Sequence, residues 1–230
     1  EVYVNDFSDQ EQWEEVKRWL GQNLPWIVAG VVIGVGGLWG WRAWEARQVR
    51  LAEEAGTRFE QAVDAFNRAD RTRAFTLVDE LTRDYAATPY ADLASLVAAR
   101  SHVESNELDK GAERLAAVMN GSKDAELRLL ARLRLARVES AQGKHDAAIV
   151  TLNGAQAGKF EARFAEARGD ILFAKGDNAG ALQAYQQALS TGEEGVVDLE
   201  LLDLKIRDLG GTPLVKEQVA SQTPTADVAP

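Results

Sequence analysis

The sequence predicts an all-α chain: a single N-terminal transmembrane helix, then an α-solenoid of about four helical pairs closed by a capping helix. Three observations predict it. Trp19–Trp41 runs 23 residues without a charge. Segments beginning at Gly143 and Gly176 match one another at a 33-residue offset, the mark of stacked helical units. The 230 residues hold only five prolines, and from Arg42 to about Arg68 charges return in helical alternation.

The chain opens on Ser8-Asp9-Gln10-Glu11, the spacing of a capping box, so a short helix is expected to begin there. Trp13, Val16 and Leu20 fall on one of its faces, and Gly21 is expected to end it before Asn23-Leu24-Pro25. This segment, 1–22, is predicted to lie at the membrane surface.

Leu24–Trp41 (LPWIVAGVVIGVGGLWGW) is apolar enough for one crossing, which takes ~20 residues for a hydrocarbon core of ~30 Å, and Pro25 falls in its first turn, where proline is tolerated. All six tryptophans lie between Trp13 and Trp44; Trp26 at the start and Trp39, Trp41 and Trp44 at the end are placed for the headgroup level. A cleavable signal peptide fits poorly, since residues 1–15 carry only acidic charge and no A-x-A-like site follows; a buried soluble helix fits poorly because it seldom lacks charge over such a length. The expectation is an uncleaved signal anchor over 23–44, in contact with lipid. Gly30, Gly34 and Gly37 form one helical stripe with Gly36 and Gly40 beside it, a bare side suited to packing on another transmembrane helix. Basic residues near the span favour, by one, a cytoplasmic C-terminal domain: Lys17 and Arg18 precede it, Arg42, Arg47 and Arg50 follow. Long domains translocate largely regardless of such charges, so this count leaves both orientations open.

A formal net charge of −10 argues against nucleic acid, whose phosphates require clustered Lys and Arg. With no cysteine, disulfides and thiolate metal sites are excluded. His102 and His145 are distant from each other and have no metal-ligand spacing, and His145-Asp146 is the pattern of a solvated turn. Gly34-Val35-Gly36-Gly37 lies inside the apolar span with no lysine after it, so it is no phosphate loop. No enzyme, metal or cofactor is expected.

In the repeats, Gly143 and Gly176 stand at turns where a left-handed backbone favours glycine. Ala148/Ala181 and Ala155/Ala188 admit neighbouring helices, Leu152/Tyr185 fill the space between units, and Ala136/Gly169 mark close contacts on the preceding helix. A weaker copy begins at Asn106 and the least regular at Arg68. Helical pairs are expected over 53–86, 89–121, 124–156 and 159–190, followed by a capping helix over Val196–Leu209 and a Thr/Ser/Gln/Pro-rich disordered tail at 210–230. The repeat spacing resembles the tetratricopeptide repeat, which makes 45–209 a tetratricopeptide-like α-solenoid.

The first helices of such pairs line the inner face, which here takes Leu93, Leu96, Arg100 and Val103, then Leu130, Leu133 and Arg137, then Glu166, Asp170 and Phe173. Leu93, Leu96, Arg100, Leu133, Arg137 and Phe173 are the candidate partner groove, arginines meeting carboxylates and aliphatic groups supplying area. The plainer alternative makes Leu96 and Leu133 core and Arg128, Arg132 and Arg137 a solvated face.

Over roughly residues 1–209 the arrangement resembles the YfgM-type ancillary subunit family of the bacterial Sec translocon. Glu15-Val16-Lys17-x-Trp19, the glycine-rich Gly30–Gly40 and Gly40-Trp41-Arg42-x-Trp44 are similar to that family's anchor, and Leu135-Ala136-Arg137-Val138 and Gly169-Asp170 to its repeats. The resemblance implies a single-pass inner-membrane protein, N-terminus cytoplasmic and repeats periplasmic, against the one-residue charge margin. It also implies the partners: the Sec translocon, a PpiD-type membrane-anchored periplasmic chaperone, and secretory client proteins passed between them. The tail inherits no role. Two other roles suit the same architecture, a membrane-tethered regulator sequestering a signalling protein and a repeat scaffold for another envelope-assembly or cytochrome-maturation complex.

Overall fold

The computed structural model describes residues 9–192 and 196–212, with side chains throughout except at residues 9–12, 14–16 and 27. Ser8 and the Glu11 side chain of the expected capping box, and the tail beyond residue 212, lie outside these. Nine α-helices are described: α1 (Asp9–Asn67), α2 (Arg71–Asp84), α3 (Pro89–Glu104), α4 (Leu108–Gly121), α5 (Ala125–Ala141), α6 (His145–Asn153), α7 (Glu161–Lys175), α8 (Asn178–Thr191) and α9 (Leu199–Asp208). A 3-10 turn, Gly158–Phe160, precedes α7. The chain divides into two compact units between Glu54 and Ala55.

In the first unit the expected stop at Gly21 does not occur. Helix α1 runs through Gly21 and Pro25, and instead bends by 43° between Lys17–Trp26 and Val28–Asn67. Proline is the cause: Pro25 has no N–H for the carbonyl of Gly21, and its ring crowds that carbonyl, so the axis breaks here while helical dihedrals continue. Asn23 Nδ2 donates to the Trp19 carbonyl at 2.8 Å in the same turn. Among the described residues no single helix is long and apolar enough to cross a membrane; the two arms of this bent helix meet that requirement together, by length and composition. The single transmembrane helix expected over 23–44 thus falls within a bent helix, of which neither arm alone meets that requirement.

In the second unit the repeats take the anticipated pairing. The end of α1 pairs with α2, α3 with α4, α5 with α6 and α7 with α8, and α9 closes the stack. Each pair turns at one left-handed residue: Ala69 (φ 60°), Asn106 (φ 59°), Gly143 (φ 76°) and Gly176 (φ 89°). An aspartate then caps two of the following helices, Asp70 accepting from Arg73 N at 3.2 Å and Asp177 from Gly180 N at 2.9 Å.

Packing repeats in register. The second helix of each pair presents a small residue to the first, Ala74, Gly111, Ala148 or Ala181, and the three alanines are fully buried. At Gly111 a Cβ would stand 2.9 Å from Val103 Cγ2, so the glycine is required by close approach. One turn later a larger side chain fills the gap between units: Val78, Leu115, Leu152 and Tyr185, all buried. Neither unit face is closed without its neighbour, so the four clusters these residues seed run along one stack. The capping helix, expected from Val196, begins at Leu199, with Asp198 as its N-cap accepting from Leu201 N at 3.0 Å, and Leu202 and Ile206 are fully buried against α8.

Candidate binding groove

Helices α3, α5 and α7, the first members of their pairs, are neighbours and share one face. A cavity of about 460 Å³ opens between α3 and α5, lined by Leu96, Arg100 and Val103 from α3 and by Arg134, Arg137 and Val138 from α5. A second, of about 290 Å³, lies between α5 and α7 and is lined by Leu130, Leu133, Arg134, Arg137, Arg163, Glu166 and the Val196–Asp198 segment. Arg134 and Arg137 belong to both, so the two are one trough.

Helical spacing builds the trough. Leu96, Arg100 and Val103 stand at i, i+4 and i+7 on α3, and Leu130, Arg134 and Arg137 repeat that spacing on α5. Leu96 and Leu133 are buried and form its floor, while Arg100, Arg134 and Arg137 are exposed at its rim. Of the residues expected here, Leu96, Arg100, Val103, Leu130, Leu133, Arg137 and Glu166 come together. Leu93, half-buried one turn before Leu96, lines neither cavity, and Phe173, 49 % exposed, stands at the far end of α7. Arg134 and Arg163 complete the site without having been singled out by the pattern. Both lie on the expected stripes, and only the approach of neighbouring helices shows that they face the same space.

Charge on this face is unevenly compensated. Arg100 Nε pairs with Glu104 at 2.7 Å, and Arg163 Nε donates to the Val196 carbonyl at 2.7 Å. Lys205 of α9 reaches between Glu166 Oε1, at 3.0 Å, and Asp170 Oδ1, at 2.8 Å, and Tyr185 Oη donates to the same Asp170 oxygen at 2.9 Å. Burial opposes the Lys205 charge, but the two carboxylates outweigh it and hold the ammonium above its ordinary pKa. Burial, then the Asp170 bond, pushes the Tyr185 hydroxyl well up. Glu166 and Asp170, expected as open groove groups, are therefore engaged from within. Arg134 is different: although the residue as a whole is exposed, partial desolvation of its guanidinium and then the like charges of Arg100 and Arg137 lower its pKa, and neither Arg134 nor Arg137 has an ion pair among the described residues.

A larger cavity, about 770 Å³, lies on the other side of the stack between α2 and α4 and includes Arg71, Phe75, His102, Glu107 and Arg114. His102 is buried, stacked on Phe75 with ring centroids 4.5 Å apart, and its Nδ1 is 2.6 Å from Glu107 Oε2; Arg71 reaches the same oxygen at 2.9 Å. The His102 contact, with help from Lys110, holds the Glu107 carboxyl at about 2. This pairing is invisible in sequence, because it depends on α2 lying over the α3–α4 turn. His145 Nδ1 lies 3.0 Å from Ser140 Oγ, while Asp146 pairs with Lys175 at 2.5 Å, so these neighbours do not form a dyad. Among the described residues no three His, Cys, Asp or Glu side chains are grouped to hold a metal.

In the first unit, a Cβ at Gly30, Gly34, Gly36, Gly37 or Gly40 would meet nothing within 4 Å, and Trp26 is 79 % exposed with Trp39, Trp41 and Trp44 also exposed. Trp41 and Trp44 touch each other, centroids 5.6 Å apart.

A family model for a tetratricopeptide repeat-like domain matches residues 17–211. The chain belongs to this family. Its curated relatives are similar in sequence over nearly their whole length: an Escherichia coli protein named ancillary SecYEG translocon subunit is 32% identical over 209 residues, 91% of this chain and 98% of the relative. Proteins of the same name from Haemophilus influenzae and Neisseria gonorrhoeae are each 26% identical, covering 88% of this chain and 98% and 97% of their own lengths. They are the YfgM-type proteins that the anchor and repeat motifs resemble. No solved structure gives a significant match.

Proposed function

We propose that this chain is an ancillary subunit of the Sec translocon, a non-enzymatic protein that binds other proteins through its helical repeats. The end-to-end similarity to proteins of that name, 98% of the Escherichia coli relative, carries this reading. Segment 1–22 is cytoplasmic, the bent helix over 23–44 anchors the chain in the inner membrane as one broken crossing, and 45–209 forms the periplasmic repeat domain; the 210–230 tail has no assigned part. Support for the anchor comes from the 23 uncharged residues and from apolar side chains left exposed among the described residues. The exposed glycine side fits a partner's transmembrane helix, and the trough between α3, α5 and α7 fits a segment of a PpiD-type chaperone or of a secretory client in transit.

The test is a topology reporter fused after residue 209 together with membrane crosslinking of the full chain. A periplasmic reporter and recovery of the translocon support the proposal. A cytoplasmic reporter rejects the secretion role and favours a membrane-tethered regulator; recovery of a different multispan complex favours a scaffold for that complex.

A further inference from the structure

We infer that the arginine-rimmed trough docks an acidic, apolar segment of a partner polypeptide, its carboxylates on Arg134 and Arg137 and its aliphatic side chains over Val103 and Leu130. This rests on the protein-binding role proposed above and names the chemistry of what is bound.

Charge decides the sign. The chain carries 36 acidic against 26 basic residues, yet this face gathers four arginines. The carboxylates close to it are already engaged: Glu104 by Arg100, Glu166 and Asp170 by Lys205, and Asp198 by the first turn of α9. Arg134 and Arg137 are left with a like-charged neighbour and no ion pair among the described residues. A bound carboxylate relieves that repulsion, and guanidinium accepts it in a bidentate geometry an ammonium cannot offer. The floor decides the rest. Half-buried Val103 and Leu130, set over buried Leu96 and Leu133, offer apolar area beside the cations, which suits a peptide alternating aliphatic and acidic side chains.

The test uses the full chain in detergent micelles and a short fluorescent peptide repeating Leu-Ser-Glu, with Gln and Lys versions as controls. The Glu peptide is expected to bind at least about tenfold more tightly than either control, and more weakly as salt rises. Arg134→Gln with Arg137→Gln should remove about tenfold or more of that affinity while helicity and melting temperature stay unchanged, because both side chains are exposed. Arg134→Glu with Arg137→Glu should instead select the Lys peptide. Equal binding of the Gln peptide, an unaffected double variant, or capture of anionic lipid vesicles in place of peptide would each overturn the inference. Translocon crosslinking measured on the same variants keeps the two questions apart: lost peptide binding with the translocon still recovered removes only the trough, whereas unmodified chain that recovers no translocon removes the role it was proposed to serve.

Discussion

Tyr185 packs its ring directly over Gly169: a Cβ built at Gly169 would run into Cε1 and Cδ1 of that ring. One unit earlier the same two positions hold Ala136 and Leu152, both buried in the cluster between α5 and α7. A bulkier partner on the second helix is thus matched by loss of the methyl on the first. Gly169→Val is expected to cost ~1–3 kcal/mol through overpacking, beyond the gain from removing a mid-helix glycine. Gly169→Ala combined with Tyr185→Leu, which copies the preceding unit, should recover part of the loss that Gly169→Ala shows alone. Denaturant midpoints of these three variants and of Tyr185→Leu alone check this; additive effects of Gly169→Ala and Tyr185→Leu would mean the pair is not coupled.

Ala69 turns the first pair with φ 60°, where later pairs use Asn106, Gly143 and Gly176. An alanine in the left-handed region carries a steric cost of ~1–2 kcal/mol, while glycine adds ~0.4–1 kcal/mol of unfolded-state entropy. Ala69→Gly should therefore stabilise the chain, by up to about 1.5 kcal/mol, with Gly143→Ala destabilising it as the control. Thermal melts of both variants give the signs.

The Glu107 carboxyl is held at about 2, from an ordinary 4.5, first by its contact with His102 and then by Lys110. A depressed carboxylate contributes stability in full above 4.5 and loses it as pH falls toward 2. Glu107→Gln removes this contribution at neutral pH. The gap in denaturation midpoint between parent and variant is accordingly expected to be widest at neutral pH and to close as pH falls from 4.5 to 2. A gap constant across that range would assign the stabilisation to something other than this charge.

What was legible in the sequence was whatever depends on local periodicity. The offset between Gly143 and Gly176 located both left-handed turns, and the small and large positions at Ala148/Leu152 and Ala181/Tyr185 located the buried seams. Gly21 misled, because glycine ends a helix only when the following residues leave it, and here the chain remains helical while Pro25 supplies the bend. Contacts that need two elements in their final relation were not legible: Lys205 bridging Glu166 and Asp170 from the capping helix, and Phe75 stacked on His102. Arg134 was intermediate, since its stripe could be read but its lack of a counter-ion required knowing where every nearby carboxylate goes.

The last prediction concerns the proposed anchor. A Cβ at Gly34 or Gly37 meets nothing within 4 Å among the described residues, so these substitutions are expected to leave the helix formed. They also raise apolarity and helix propensity, so insertion into the membrane should be unchanged. Their effect should appear only where another helix approaches, since leucine side chains hold two backbones apart that glycine lets close. Gly34→Leu with Gly37→Leu is therefore expected to reduce recovery of the translocon from mild detergent. Ile33→Leu with Val35→Leu, bulk exchanged for bulk at neighbouring exposed positions, should leave recovery unchanged. Equal recovery from both double variants would show that the glycine side faces lipid, and would leave the repeat domain as the site through which the chain is held to its partner.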